Sequence, residues 1–188
     1  MKSRDAIVER LLESPEPSIR WKVLVGVEGE SPDSKQVLQT REEIKNSQRV
    51  KALLAKRNSD GEIKATRDVY SKWKGAHWVL ATLADIGYPA GDESFHPIAN
   101  QLLDMWLDDE FFTEFRAESR AKKYSQRGIP LMQGRYRSHA SQQSNALWTI
   151  LTLGLYTPRC DQLVERLLHW QWPDGGWNCD GNPDANTS

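Results

Sequence analysis

Apolar side chains recur along this chain at intervals of three and four, with charged residues on the positions between them. Ile7, Val8, Leu11 and Leu12 form one such stripe and Leu163, Val164, Leu167 and Leu168 another, while Glu9, Arg10, Glu165 and Arg166 occupy the opposite faces. That spacing returns a side chain to the same side of a helix every turn, and no comparable run alternates with the two-residue period of a half-buried strand. Breaks fall at Ser14-Pro15-Glu16-Pro17, Ser59-Asp60-Gly61, Gly87-Tyr88-Pro89-Ala90-Gly91, Thr157-Pro158 and Pro173-Asp174-Gly175-Gly176. Proline and glycine at these points end a helix or turn the chain. The pattern predicts an all-α protein built from helical hairpins.

The hairpins repeat. LLAKRNSDGEI (53–63), LLDMWLDDEFF (102–112) and LLHWQWPDGGW (167–177) align without gaps: each opens on a Leu-Leu pair, reaches Asp60, Asp109 or Asp174 at one offset, and closes on Ile63, Phe112 or Trp177. Leu11-Leu12 opens a degenerate first copy. A second set lies between these. KGAHWVLATLADIG (74–87) resembles SNALWTILTLGLY (144–156), so that Trp78 meets Trp148 and Arg67 meets Arg137, and SIRWKVLVGV (18–27) is a shorter relative. The expected order is a Leu-Leu helix followed by a Trp helix, again and again. Residues 110–137 interrupt it as an irregular insertion, with a helical turn expected near Phe111–Arg120 and a loop through Gly128-Ile129-Pro130. The chain stops at Asn186-Thr187-Ser188, about where a further Trp helix would start, and the repeat logic therefore predicts a truncated protein.

Composition changes this picture little. A net charge of −1 over 188 residues leaves no global footprint for nucleic acid or an anionic membrane. The opening residues lack the apolar run of a secretory signal and no stretch approaches a transmembrane segment, so a cytoplasmic location is expected. Cys160 and Cys179 do not make a disulfide scaffold and are read as reduced thiols. The unusual residue is tryptophan, which occurs eight times. A side chain with a large apolar body and one N–H donor at that frequency implies tightly packed helices or an aromatic-lined cavity.

Gln171-Trp172-Pro173-Asp174-Gly175-Gly176-Trp177 resembles the glutamine-tryptophan repeat of the squalene cyclase and protein prenyltransferase superfamily, and residues 145–180 as a whole are similar to bacterial squalene-cyclase-like proteins. The resemblance implies an α/α toroid of paired helices. For residues 1–188 it implies a single incomplete domain of that kind, a partial toroid carrying the basic insertion at about 110–137. The physical reading of the motif is a clasp. Gln171 is expected to hydrogen-bond main-chain groups at a neighbouring helix end, Trp177 to cover that bond, and Gly175 and Gly176 to permit a tight turn beside Asp174. Arg57 and Trp106 stand where the other copies would carry the glutamine.

Chemistry is less legible. Cyclases of the superfamily that begin by protonation carry an Asp-x-Asp-Asp motif, which is absent; Asp108-Asp109-Glu110 is the nearest run and reads as a solvated helix end. The prenyltransferase branch holds zinc through Asp, Cys and a later His. Cys179 and Asp180, with His139 or His169 for an imidazole, are the candidate ligands, against the plainer reading of a half-buried thiol and a turn aspartate. Arg116, Arg120, Lys122, Lys123, Arg127, Arg135 and Arg137, with Tyr124 and Tyr136 among them, are the candidates for a diphosphate or other anion; the plainer reading is a solvated loop that Glu114 and Glu118 partly neutralise. No catalytic residue or cofactor is assigned. Two functions remain. One is an incomplete terpenoid-cyclase or prenyltransferase-like domain, inactive alone, whose full-length form acts on an isoprenoid or other apolar small molecule. The other is a non-catalytic helical repeat scaffold that binds a protein partner. In either case the uncovered C-terminal helix is expected to promote self-association.

Overall fold

Helices form where the apolar stripes fall. A computed structural model describes residues 2–64 and 69–188. It contains α1 (Lys2–Leu12), α2 (Pro17–Gly26), α3 (Lys35–Lys45), α4 (Gln48–Leu54), α5 (Ala76–Asp85), α6 (His96–Trp106), α7 (Asp109–Phe112), α8 (Arg120–Lys123), α9 (Ala140–Thr152) and α10 (Pro158–His169). The Leu-Leu pairs lie in α1, α4, α6 and α10, and Trp21, Trp78 and Trp148 lie in α2, α5 and α9. Arg67, aligned with Arg137 in the repeat, lies outside the described residues. The helix starts follow capping chemistry. Ser34 and Ser47 each accept the N–H three residues on, from Val37 and Val50, and Pro17 opens α2 where a missing N–H leaves no helix bond unmade.

The chain is mostly helical but not purely so, which corrects the all-α expectation. Among the described residues three short strands, β1 (Glu114–Arg116), β2 (Ile129–Met132) and β3 (Arg135–Tyr136), form a sheet in the order β1-β2-β3. β1 runs parallel to β2 with Phe115 opposite Pro130, and β2 runs antiparallel to β3 with Leu131 opposite Tyr136. They fall within 110–137, where the sequence pattern predicts a helical turn and a loop. Strands this short give no room for an alternating signal, and Gly128 and Pro130 are residues that ordinarily mark loops. Both have a local reason here. Gly128 takes φ +122°, and a Cβ on it would run into the Thr113 carbonyl, the group that accepts the Ile129 N–H at 2.9 Å. Pro130 accepts from the Arg137 N–H at 2.9 Å but has no N–H to return, and the β2–β3 pairing ends there.

The chain divides into two compact units. The first takes in residues up to Ile98 together with Thr152–Leu155. In it α2 packs on α1 and α3, and Val23, Leu24, Val37, Ile44, Ile63, Leu80, Leu83 and Phe95 are buried. The second comprises Ala99–Leu151 and Tyr156–Ser188. Its core is built by Leu102, Leu103 and Trp106 of α6, Ile129 and Met132 of β2, Ala146 and Ile150 of α9, and Cys160, Leu163 and Leu167 of α10, with Trp170 and Trp172 beyond its end. The tryptophans that fill this core are not the ones the repeat aligns: Trp148 is 47% exposed, whereas Trp106 and Trp170 are buried.

Candidate functional site

The segment after α10 is a hydrogen-bonded glycine turn. Gly175 N–H donates to the Trp172 carbonyl and Trp172 N–H donates to the Gly176 carbonyl, both at 2.9 Å, with Gly175 at φ +88°. The Gln171 amide donates to the Gly175 carbonyl at 2.6 Å, and the Trp177 indole donates to the Leu167 carbonyl at 2.7 Å. Asp174 accepts from the backbone N–H groups of Gly176 and Ser188 at 3.3 and 3.0 Å. Those backbone bonds, that from Ser188 foremost, hold its carboxyl below the ordinary aspartate value. The motif thus closes on itself. Gln171 binds its own turn rather than a neighbouring helix end, and Trp177, half-buried, caps a carbonyl in the last turn of the preceding α10 rather than covering the Gln171 bond.

The aligned copy at 53–63 makes the same turn. Gly61 N–H donates to the Asn58 carbonyl at 3.2 Å, Asn58 N–H donates to the Glu62 carbonyl at 2.9 Å, and Gly61 lies at φ +85°. Arg57, standing where Gln171 does, donates from Nε to the Gly61 carbonyl at 2.9 Å. The copy at 102–112 lacks this turn because Glu110 stands at the glycine position and a left-handed backbone is closed to it at low energy. There Asp108 caps the short α7 instead, accepting the Glu110 N–H at 2.8 Å. A Cβ on Gly175 would meet open space, so Gly175→Ala tests backbone strain alone. It is expected to lower stability by about 1–2 kcal/mol in chemical denaturation.

Between the sheet and the end of α10 a carboxylate gathers three side-chain donors. Glu114 Oε1 accepts from the Trp170 indole and from His169 Nε2, each at 2.9 Å, and its other oxygen accepts from the Tyr136 hydroxyl at 2.9 Å. Burial alone would push this carboxyl up, but the bonds from Trp170 and Tyr136 and the proximity of His169 outweigh it and hold it below the ordinary glutamate value. The same bond raises the Tyr136 phenol. His169 is 51% exposed on its side chain. A fixed carboxylate orienting an accessible imidazole is the base-and-orienter half of a nucleophilic site. Among the described residues, however, no serine, threonine or cysteine hydrogen-bonds His169. The sequence pattern marks Glu114 only as a neutralising charge; nothing within three strand residues signals that their carboxylate reaches α10.

A second cluster joins β3 to the last residues. Arg137, fully buried, lies 4.6 Å from the centre of the Trp172 ring and donates from Nη2 to the carbonyls of Asn182, Pro183 and Ala185 at 3.3, 3.3 and 3.0 Å. The Trp172 indole donates to the Tyr136 carbonyl at 2.7 Å. Burial pulls the guanidinium below its ordinary value, with Asp180 opposing. The other basic candidates are put to separate uses. Lys123 is buried and its ammonium donates to the Cys179 carbonyl, Arg127 pairs with Glu110 at 2.5 Å, Arg135 stacks on Trp172, Arg120 and Lys122 are exposed, and Arg116 lines a cleft.

The candidate metal ligands do not converge. Cys179 is an exposed free thiol, Asp180 accepts the Asn182 N–H at 2.9 Å in a turn, and His139 opens α9 through its carbonyl. Among the described residues no group of three or more His, Cys, Asp or Glu side chains could hold a metal ion. Also among the described residues, no helix is long and apolar enough to cross a membrane. No protein-family model, curated protein or solved structure matches the chain.

Proposed function

We propose that the chain is a helical repeat domain of the squalene-cyclase and protein-prenyltransferase kind, part of a protein that acts on an isoprenoid or other apolar substrate, and that these residues supply framework rather than the acid that starts the reaction. The observation that carries this reading is the glycine turn made twice, at 58–62 and 172–176, each closed by a long side chain on the glycine carbonyl. Repetition at the level of individual hydrogen bonds supports a fold built by stacking one helical unit, as in a toroid. Trp148 and Leu151 on α9 and Val164 and Leu168 on α10 are exposed apolar side chains suited to an isoprenoid chain or to another helix.

The test uses the 188-residue protein. A long isoprenoid alcohol is expected to quench tryptophan fluorescence saturably, with the change lost in Trp148→Phe, and isoprenoid diphosphates and linear triterpenes should be recovered unchanged. Equal, non-saturable responses to the isoprenoid and to a straight-chain alcohol of the same carbon number would sink the substrate class. Turnover would place the chemistry within residues assigned here to the framework. The same exposed side chains favour a second reading, a scaffold for a protein partner or a second copy. Under it Val164→Lys with Leu168→Lys should lower the sedimentation coefficient of an associated species, and a monodisperse monomer before and after the change would count against it.

A further inference from the structure

Independently of that reading, we infer that the second unit carries a site for a small zwitterion, a free α-amino acid with a short apolar side chain. The site is an open cleft of about 490 Å³ lined by Arg116 at the end of β1, Ala117 and Glu118 after it, Leu131 of β2, Gln133 and Gly134 of the β2–β3 turn, and Pro183. That volume lies in the range of small-molecule pockets and exceeds what a ligand of this size needs. Ala117, Leu131 and Pro183 supply apolar walls. The polar residues are arranged in a way that selects a charge pattern. Arg116 ends β1 and Glu118 lies two residues on, in a bend, with the Ala117 N–H between them donating to the Leu131 carbonyl at 3.0 Å. Both are exposed, and among the described residues neither forms a salt bridge or a side-chain hydrogen bond. The cleft lining therefore offers both an unpaired guanidinium and an unpaired carboxylate.

A simple carboxylate would satisfy Arg116 and be repelled by Glu118; a simple amine would meet the reverse. A molecule carrying both groups on one carbon satisfies both, with the guanidinium binding its carboxylate in bidentate fashion and Glu118 accepting from its ammonium. The side chain of such a ligand is left to face Leu131 and Pro183. The far wall is held in place by the buried cluster already described: Arg137 binds the carbonyls of Asn182, Pro183 and Ala185, and the Gln133 amide donates to Asp184 at 3.1 Å. The cleft is thus bounded by main chain fixed from within, which limits the rearrangement that binding would require.

Amide chemical shifts of the ¹⁵N-labelled chain, titrated with L-leucine, 4-methylpentanoate and 3-methylbutylamine, test the proposal. Leucine is expected to shift Arg116, Ala117, Gln133 and Gly134 saturably with a millimolar dissociation constant, about tenfold tighter than either half-ligand. Arg116→Gln should abolish binding of leucine and of the carboxylate, Glu118→Gln should bring leucine down to the level of 4-methylpentanoate, and Arg120→Gln should change nothing. The spectra of the variants report folding directly. Absence of saturable shifts at about 10 mM leucine, about ten times a millimolar constant, equal binding of leucine and 4-methylpentanoate to the parent chain, or indifference to Arg116→Gln would each overturn it.

Discussion

Trp170→Ala is expected to lower the free energy of unfolding by about 3–5 kcal/mol in chemical denaturation, the range for removing a fully buried aromatic. Trp170 is fully buried, its ring lies 5.9 Å from that of Phe112, and its indole N–H is bound to Glu114. The substitution therefore opens a cavity and removes a donor from a carboxylate that depends on it. Trp177→Ala makes the contrast. Trp177 is half-buried and contributes one hydrogen bond to the Leu167 carbonyl, so its loss should cost about 1–2 kcal/mol. A larger loss at Trp177 than at Trp170 would show that the turn, not the core beyond α10, holds this unit together.

Glu114→Gln is expected to cost about 2 kcal/mol near neutral pH, after allowance for the solvent that reaches the carboxylate. The amide keeps one acceptor but loses the charge that strengthens the bonds from Trp170, Tyr136 and His169. The pH dependence has a definite sign. The folded carboxyl lies below its unfolded value, so the unfolded chain binds the proton first on acidification. The stabilisation is therefore complete above the unfolded value of about 4.3 and is lost as pH falls through the lower folded value. Stability of the parent chain should fall below about pH 4.3. In Glu114→Gln the fall should be shallower. Part of what remains comes from Asp92, where burial is outweighed by the bonds from Tyr88 and Ser94 and the carboxyl is again held low. Parallel acid profiles for the two proteins would refute the role of Glu114.

How much of this was legible follows from how far each interaction reaches along the chain. The helices were, because the stripes at 7–12 and 163–168 and the breaks between them are local, and the repeat alignment put Leu-Leu pairs and tryptophans on helices that exist. The turn at 172–176 was legible as a turn, since a left-handed residue there requires glycine. Its partners were not: a glutamine beside a helix end has several carbonyls within reach, and the one it takes is set by the backbone of its own turn. The sheet was hidden for a different reason. Two to four residues carry no period, and Gly128 and Pro130, which read as loop, are there because a Thr113 carbonyl passes close by and because a pairing must end. The Glu114 cluster joins residues more than fifty positions apart, and no local pattern records such a meeting.

Arg57 and Gln171 bind equivalent carbonyls in two matching turns, those of Gly61 and Gly175, one with a guanidinium and the other with an amide. What the turn demands is a reach and a donor, not a residue type. Two side chains that differ in charge, length and hydration serve at that one atom, while any replacement of the glycine beneath them strains the backbone. A repeat of this kind can diverge in nearly every letter and keep its geometry. Its copies are then related by the paths of their hydrogen bonds, and the last trace to be erased from the text is the glycine.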